Sequence, residues 1–330
     1  MLKVGLIGIG GIGAVHAKAY NSLTDKVTLA AIADFNEEKA KEIAKESGAS
    51  VYRDAKEMLE KEQLDLVDIC LPTALHAEYV LAALDRVKNV LVEKPVCLTL
   101  EEAERLLAKE KETGGKVHVA HVVRFTTQYS YLKDIMDSGV YGKLITADFH
   151  RFSPKPTWVF DYDNPKRTGG MPIDLHIHDA DYVRYLMGGD PDDVKTVAST
   201  TESGIIRHLW STYFYGNTVI TAEASWNFPV SMPFNRGFRA VFEKATVALE
   251  TGFGVTVYPE EGEAFQPTLP ERVKMDLGIN IKDFGTFLCE IEAFVDAILE
   301  NKPSPVPLCE AVEALRLVQK ELQIARGEVQ

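Results

Sequence analysis

Four residues near the start of the chain have the types and spacing that binding chemistry requires. Gly8, Gly10 and Gly13 form Gly-x-Gly-x-x-Gly, and Asp34 follows about twenty residues later. Gly8 permits a tight turn. Gly10 carries no Cβ, so backbone can approach a pyrophosphate closely, and Gly13 lets a helix pack against the preceding strand. Gly11 and Ile12 complete the turn. A helix starting there offers unpaired N–H groups and a partial positive charge to phosphates. Asp34 can accept hydrogen bonds from an adenosine ribose, and its charge would repel the 2′-phosphate of NADP. Phe35 and Asn36 supply no cation to offset that repulsion, although Lys39 and Arg53 are nearby in sequence. The arrangement favours NAD over NADP.

Such a turn binds a dinucleotide only where particular elements hold it. A short apolar run leads into Gly8, a helical pattern covers 14–23, and a second apolar run, 27–33, ends at Asp34. This is the strand–turn–helix–strand–acid order of a dinucleotide-binding βαβ unit. The alternation continues. Helices are predicted over 37–47, 54–61, 74–84 and 99–112, and strands over 66–71, 90–92 and 117–123. Thr99 and Glu102 have capping-box spacing. Strands alternating with helices predict a doubly wound parallel sheet, whose ligands sit outside the carboxyl ends of the strands. Leu71, Pro72, Thr73, His76, Glu93 and Lys94 all fall at such ends.

Near residue 124 the pattern changes. After a helix over 128–138 come β-branched and aromatic runs at 143–152, 194–201, 207–215, 218–226, 237–242, 246–251 and 254–258, with a hairpin turn at Gly216-Asn217. They predict an open, mostly antiparallel sheet. A helix over 173–187 interrupts it, and helices over 284–300 and 309–326 close the chain. The sequence therefore reads as α/β with two domains: a Rossmann domain at 1–123 and an α+β domain at 124–330, with the terminal helix free to pack back on the first.

Composition narrows the function classes. A chain of 330 residues has ample core for two domains. A net charge of −13 argues against a nucleic-acid surface, which needs a basic patch. No apolar run is long enough to span a bilayer. Cys70, Cys97, Cys289 and Cys309 are scattered without metal or disulfide spacing, as suits a reducing cytoplasm.

Several motifs together resemble a known family. Gly8-x-Gly10-x-x-Gly13 with His16, Pro72-Thr73-x-x-His76, Glu93-Lys94-Pro95, and Gly169-Gly170 with Asp174-x-x-x-His178 are similar to those of the glucose–fructose oxidoreductase / inositol dehydrogenase / rhizopine-catabolism (Gfo/Idh/MocA) family. The resemblance covers essentially the whole chain. It implies a Rossmann domain followed by an open-sheet domain whose face often mediates dimers or tetramers. It also implies pyridine-nucleotide oxidation or reduction of a sugar, polyol, sugar acid or sugar nucleotide at a secondary hydroxyl. Two departures stand out: His121-Val122-Val123 precedes Arg124-Phe125, and an extra His176 lies beside His178.

The chemistry so implied needs a group near the hydroxyl that titrates close to working pH. The family places the lysine of Glu-Lys-Pro beside the nicotinamide ribose and the substrate hydroxyl. Lys94 is then a base or a cation that steadies the developing alkoxide. Glu93 is expected on the ribose, and a cis Lys94–Pro95 peptide is in keeping with the family. Asp174 and His178, four apart, share one face of a helix, which Asp181 and Tyr185 continue. His178 is assigned as proton acceptor because imidazole titrates near neutrality, and Asp174 as the residue that orients it or binds substrate. His176-x-His178 with Asp174 and Asp179 would suit a metal only in a strand. A helix points His176 away from His178, so no metal is expected.

Arg124 and Trp158 are expected substrate contacts, and Tyr129, Arg151 and Arg167 are further candidates for the pocket. His16 reads as a packing residue. The leading reading is an NAD(H)-dependent oxidoreductase with a sugar-like substrate, working as a cytoplasmic homodimer or homotetramer. The alternative is a catalytically silent dinucleotide sensor of the same fold, which would need the glycine turn but not Lys94, Asp174 and His178.

Overall fold

The computed structural model describes residues 1–157, 162, 164–271, 273 and 283–329. The described chain forms two compact units, residues 1–122 with 272–312, and residues 123–271 with 313–329.

The first unit is built on six parallel strands: β1 (Leu2–Ile7), β2 (Val27–Ala33), β3 (Ser50–Tyr52), β4 (Leu66–Ile69), β5 (Asn89–Glu93) and β6 (Lys116–Ala120), in the order β3-β2-β1-β4-β5-β6. Strands of such a sheet are covered on both faces and read as unbroken apolar runs. Val4, Leu6, Ile32, Leu66, Val67, Val90, Leu91, Val92 and Val119 are accordingly all inaccessible to solvent. The strand order reverses between β1 and β4, which opens a crevice at their carboxyl ends.

Helices α1 (Gly11–Ser22), α2 (Glu37–Ser47), α3 (Ala55–Lys61), α4 (His76–Leu84) and α5 (Leu100–Thr113) connect these strands. Their ends follow local chemistry. Asn36 caps α2 by accepting Lys39 N–H at 3.2 Å, and Gly48 stops it in the left-handed region. Thr99 and Glu102 form the expected reciprocal capping box on α5.

In the second unit α6 (Thr127–Ser138) is followed by β7 (Leu144–Pro154) and the short α7 (Pro165–Thr168). After α8 (Ile177–Met187) come β8 (Asp193–Thr200), β9 (Ile206–Tyr215), β10 (Thr218–Phe228), β11 (Asn235–Phe242), β12 (Ala245–Glu250) and β13 (Gly254–Pro259). The seven strands are ordered β13-β12-β11-β7-β10-β9-β8, and every pairing is antiparallel except β10 with β7. Tyr215 pairs with Thr218 across Gly216-Asn217, so the expected hairpin turn is present. One sheet face carries the buried Phe149, Leu209, Tyr213 and Ala222, against which α8 packs. The opposite face leaves Val197, Trp210 and Tyr258 exposed.

The chain ends in α9 (Phe284–Leu299), which packs on α1 within the first unit, and α10 (Leu308–Ala325).

The helix expected over 173–187 has a different start. Pro172–His176 is a π-helical turn, and only from Ile177 does the helix become α. The Ile177 N–H bonds back to the carbonyl of Pro172, five residues earlier.

Candidate active site

The glycine turn of the first unit has the shape a dinucleotide needs. Gly8 sits at φ +88°, and a Cβ there would lie 2.7 Å from the Cys70 carbonyl oxygen. A Cβ on Gly13 would lie 2.0 Å from the Gly8 carbonyl, so helix and turn touch backbone to backbone. At Gly10, by contrast, a Cβ would meet nothing within 4 Å: the space above the turn is open. Gly10 and Gly11 are exposed and Ile12 is half-buried. No side chain caps α1, so its first N–H groups face that space. Asp34 is fixed at the rim, where its carboxylate accepts N–H groups from Ile9 and Asn36, each at 2.8 Å. Phe35 is exposed, and the Lys39 ammonium lies 3.5 Å from the Gly10 carbonyl. An open phosphate cradle beside an oriented carboxylate fits the pyrophosphate and ribose of NAD.

Two further segments reach the same strand ends. Leu71 and Pro72 lead from β4 into a short 3₁₀ turn, Thr73–Leu75, with Thr73 buried. Glu93, Lys94 and Pro95 follow β5. The Lys94–Pro95 peptide is cis, and Lys94 is half-buried. His76 ties the two segments together, its Nδ1 2.8 Å from the Pro95 carbonyl oxygen and its Nε2 2.7 Å from that of Leu71. Burial lowers the His76 pKa, partly offset by these carbonyls.

Beneath Glu93 lies a buried polar network that sequence reasoning largely missed. His16 Nδ1 is 2.8 Å from Asp68, whose same oxygen accepts the Tyr20 hydroxyl at 2.8 Å. His16 Nε2 is 3.3 Å from Glu93, and Cys70 Sγ is 3.3 Å from His16 Nδ1. Burial opposes charge on His16, but Cys70 and Asp68 outweigh it and its pKa is raised. Burial likewise opposes charge on Glu93, yet His16 and Lys94 hold its pKa down. Glu290 of α9 completes the cluster. It is fully buried, neither oxygen has a hydrogen-bond partner among the described residues, and burial with the Glu93 charge pushes its pKa well up. Among the described residues His16, Asp68 and Cys70 bring three potential metal-ligand atoms within 4.8 Å of one another, and hydrogen bonding accounts for this closeness. His16 thus sits in the interior, as a packing residue would, but as the hub of a network.

In the second unit the residues that emerge are those the sequence singled out. From Met171 to Arg184 every side chain is buried except Asp174 and His178. Gly169 and Gly170, at φ +82° and +70°, bring the chain into this turn, and a Cβ on Gly169 would strike Ile173 at 2.3 Å. Tyr162, which sequence analysis overlooked, donates its hydroxyl to the Asp174 carboxylate at 3.2 Å and packs against Trp226.

Other expectations resolve differently. Asp181 does not continue the open face. It is fully buried and takes Arg124 in a two-point pair at 2.7 and 2.9 Å. Three residues after His178 in the same α-helix, Asp181 stands about 60° round from it, and Arg124, distant in sequence, covers it there. Arg124 is itself buried and stacks on the half-exposed Tyr185 at 4.6 Å. Arg151 is equally buried, paired with Asp179 at 2.7 and 2.9 Å. Tyr129 belongs to an aromatic core with Phe149, Tyr182 and Phe238. Arg167 is exposed, and Trp158 lies outside the described residues. His176 points inward, as helical geometry requires, with Nε2 2.8 Å from Glu321.

Known proteins match along most of the chain. The family description "Oxidoreductase family, NAD-binding Rossmann fold" fits residues 2–121, and the GFO/IDH/MocA C-terminal domain fits residues 129–265. The chain is similar to a myo-inositol 2-dehydrogenase of Thermotoga maritima, with 30% identity over 58% of this chain and 57% of the relative. That match thus spans little more than half of the relative's length. It is also similar to the UDP-N-acetylglucosamine 3-dehydrogenase of Acidithiobacillus ferrooxidans, with 26% identity over 98% of this chain and 96% of the relative. In fold it resembles a levoglucosan dehydrogenase solved with NADH and levoglucosan, at a TM-score of 0.86 and 22% identity over 99% of this chain and 98% of that one. With both family domains matched in order, and with a glycine turn and an oriented Asp34 in place, the chain belongs to the GFO/IDH/MocA oxidoreductase family, whose N-terminal domain is an NAD-binding Rossmann fold.

Proposed function

We propose that this chain is an NAD-dependent oxidoreductase that transfers hydride between the nicotinamide and a secondary hydroxyl or ketone of a sugar-like molecule. The observation that carries the reading is the pair Asp174 and His178, the two side chains left accessible on an otherwise buried helix start. Bound NAD would supply the hydride acceptor for the substrate carbon. The chain's own residues must handle the hydroxyl proton. His178 accepts it, since an imidazole titrates near neutrality. Asp174, steadied by the Tyr162 hydroxyl, binds the substrate or orients His178. Lys94 supplies a cation where negative charge develops on the alkoxide, or acts as the base itself. Glu93 and Asp34 take the two riboses, and Leu71, Pro72 and Thr73 line the cofactor cradle with the glycine turn. His76 acts by holding the Leu71 and Pro95 segments together.

The relatives' names, which speak of an inositol and a sugar nucleotide, support a polyol, sugar, sugar acid or sugar nucleotide as substrate. Trp158 is kept as a stacking surface for such a ring. The engagement of Arg124 with Asp181 supports a role in holding α8 more than a direct contact with a charged substrate. Assembly as a homodimer or homotetramer through the outer face of the seven-stranded sheet is supported by exposed Val197, Trp210 and Tyr258. A cytoplasmic setting is supported by Cys70, Cys97, Cys289 and Cys309, none of which is in a disulfide among the described residues.

The test follows NADH absorbance while protein and NAD⁺ are offered sugars, polyols, sugar acids and sugar nucleotides, beside Lys94→Ala. Turnover of one class, lost in the variant while NADH still binds, is the expected result. NADH binding without turnover in either direction, with the matching ketones also tried, would leave a dinucleotide sensor as the better reading.

A further inference from the structure

The π-helical turn at Pro172–His176 brings one titratable side chain into the core, and that side chain is His176. The ring is inaccessible to solvent. Its Nε2 lies 2.8 Å from Glu321 Oε2 on α10 and 3.1 Å from the Tyr213 hydroxyl on β9. Glu321 is inaccessible as well. Burial disfavours charge on His176, but the Glu321 carboxylate outweighs it, and the His176 pKa is raised. In α8's first turn, Asp179 holds Arg151 of β7 in a second buried pair. The groups facing His176 are therefore Glu321, Tyr213, Asp179 and Arg151.

A π turn is less favourable than the α-helix it interrupts and persists where its surroundings over-determine it. A buried ion pair contributes little net stability, but it penalises any arrangement that separates its partners. If residues 172–176 relaxed into α register, His176 would rotate off Glu321 and leave a buried carboxylate unpaired. Asp174 would turn with it, relative to His178 in α8.

We propose that His176 and Glu321, with Tyr213, are positioning residues: their buried contact fixes the 172–176 turn in its π form against the core and so sets the direction in which Asp174 emerges beside His178. This rests on the reading of Asp174 and His178 as site residues. Loss of the His176 proton at higher pH removes the ionic part of the contact and leaves the Nε2–H hydrogen bond to Glu321, so the neutral ring still holds the turn.

The test compares His176→Ala, His176→Gln, Glu321→Gln and His178→Asn in the full-length enzyme. The readouts are kcat, KM, the pH profile, the Kd for NADH, and amide hydrogen exchange over residues 172–178. We expect kcat to fall at least tenfold in His176→Ala, with the NADH Kd unchanged within twofold. His176→Gln can place an amide nitrogen where Nε2 lies, and it recovers most of kcat. Glu321→Gln keeps the fold and speeds exchange in the turn. Should His176→Ala fail to fold, Glu321→Gln carries the test. Unchanged kcat in His176→Ala and unchanged exchange in Glu321→Gln, alongside lost turnover in His178→Asn, overturn the positioning role alone. Wild-type turnover in His178→Asn removes the reading of the site itself, and this inference with it.

Discussion

The Asp34 carboxylate accepts the N–H of Ile9, inside the glycine turn, at 2.8 Å. Its second oxygen accepts Asn36 N–H at the same distance. The acid that is to meet the ribose is therefore also a strut for the turn that is to meet the phosphates. Both are oriented before a ligand arrives, which lowers the ordering cost of binding.

Asp34→Ala is accordingly expected to weaken NADH binding at least tenfold, about 1.4 kcal/mol, and to narrow the preference for NADH over NADPH. Titration of each nucleotide by protein fluorescence checks it. Unchanged NADH affinity, or no relative gain for NADPH, would take Asp34 out of cofactor selection.

The glycine turn separates fit from function. At Gly13 an added methyl meets the Gly8 carbonyl at 2.0 Å, so Gly13→Ala should destabilise the chain by about 1–3 kcal/mol, as overpacking does. At Gly10 the same methyl meets no protein atom and occupies open space. Gly10→Ala should leave the thermal midpoint unchanged and weaken NADH binding about tenfold or more. Equal losses of stability in both variants would contradict the assignment of that space to the cofactor.

Much of this was legible in the sequence because the causes are local. A φ of +88° at Gly8 and backbone contact at Gly13 admit only glycine, and two-sided burial makes parallel strands apolar throughout. The strands of the second sheet fall within two residues of the β-branched and aromatic runs at either end. What was not legible depends on distant partners. His176 meets Glu321 across 145 positions, and nothing near either residue announces the other. The burial of Glu290 beneath Glu93 follows from the return of 272–312 to the first unit, which leaves no mark on composition. The π turn has no periodic signature over five residues, and the burial of Asp181 depends on Arg124, which lies 57 positions away. Tyr162 lies in a loop with no pattern that ties it to Asp174.

Tyr162→Phe isolates that last contact. It removes one donor from the Asp174 carboxylate and keeps the ring against Trp226. A net loss near 1 kcal/mol, typical of one hydrogen bond, corresponds to about a fivefold fall in kcat/KM. The thermal midpoint should hold, because Asp174 is already half-exposed. Steady-state kinetics on the substrate found in the screen give the answer, and unaltered kcat/KM would reduce Tyr162 to packing.

Glu290 gives a prediction with a definite sign in pH. Its carboxyl is buried with no hydrogen-bond partner among the described residues, and burial together with the Glu93 charge raises its folded pKa well above the unfolded value. A group of this kind binds its proton more tightly in the folded state. Below the unfolded pKa both states are protonated and the residue contributes nothing. As pH rises above that value the unfolded state gives up the proton first, and folding stability falls by about 1.4 kcal/mol per pH unit until the folded state also releases it. Glu290→Gln keeps the size and polarity of the neutral acid and removes the titration. The variant should therefore match the wild type near pH 4 and be progressively more stable than it toward pH 7 and above, as read from denaturant unfolding across that range. A stability difference that did not change with pH would mean that Glu290 is not held protonated beside Glu93. A variant less stable than the wild type at neutral pH would mean that the charged form is the one the fold uses.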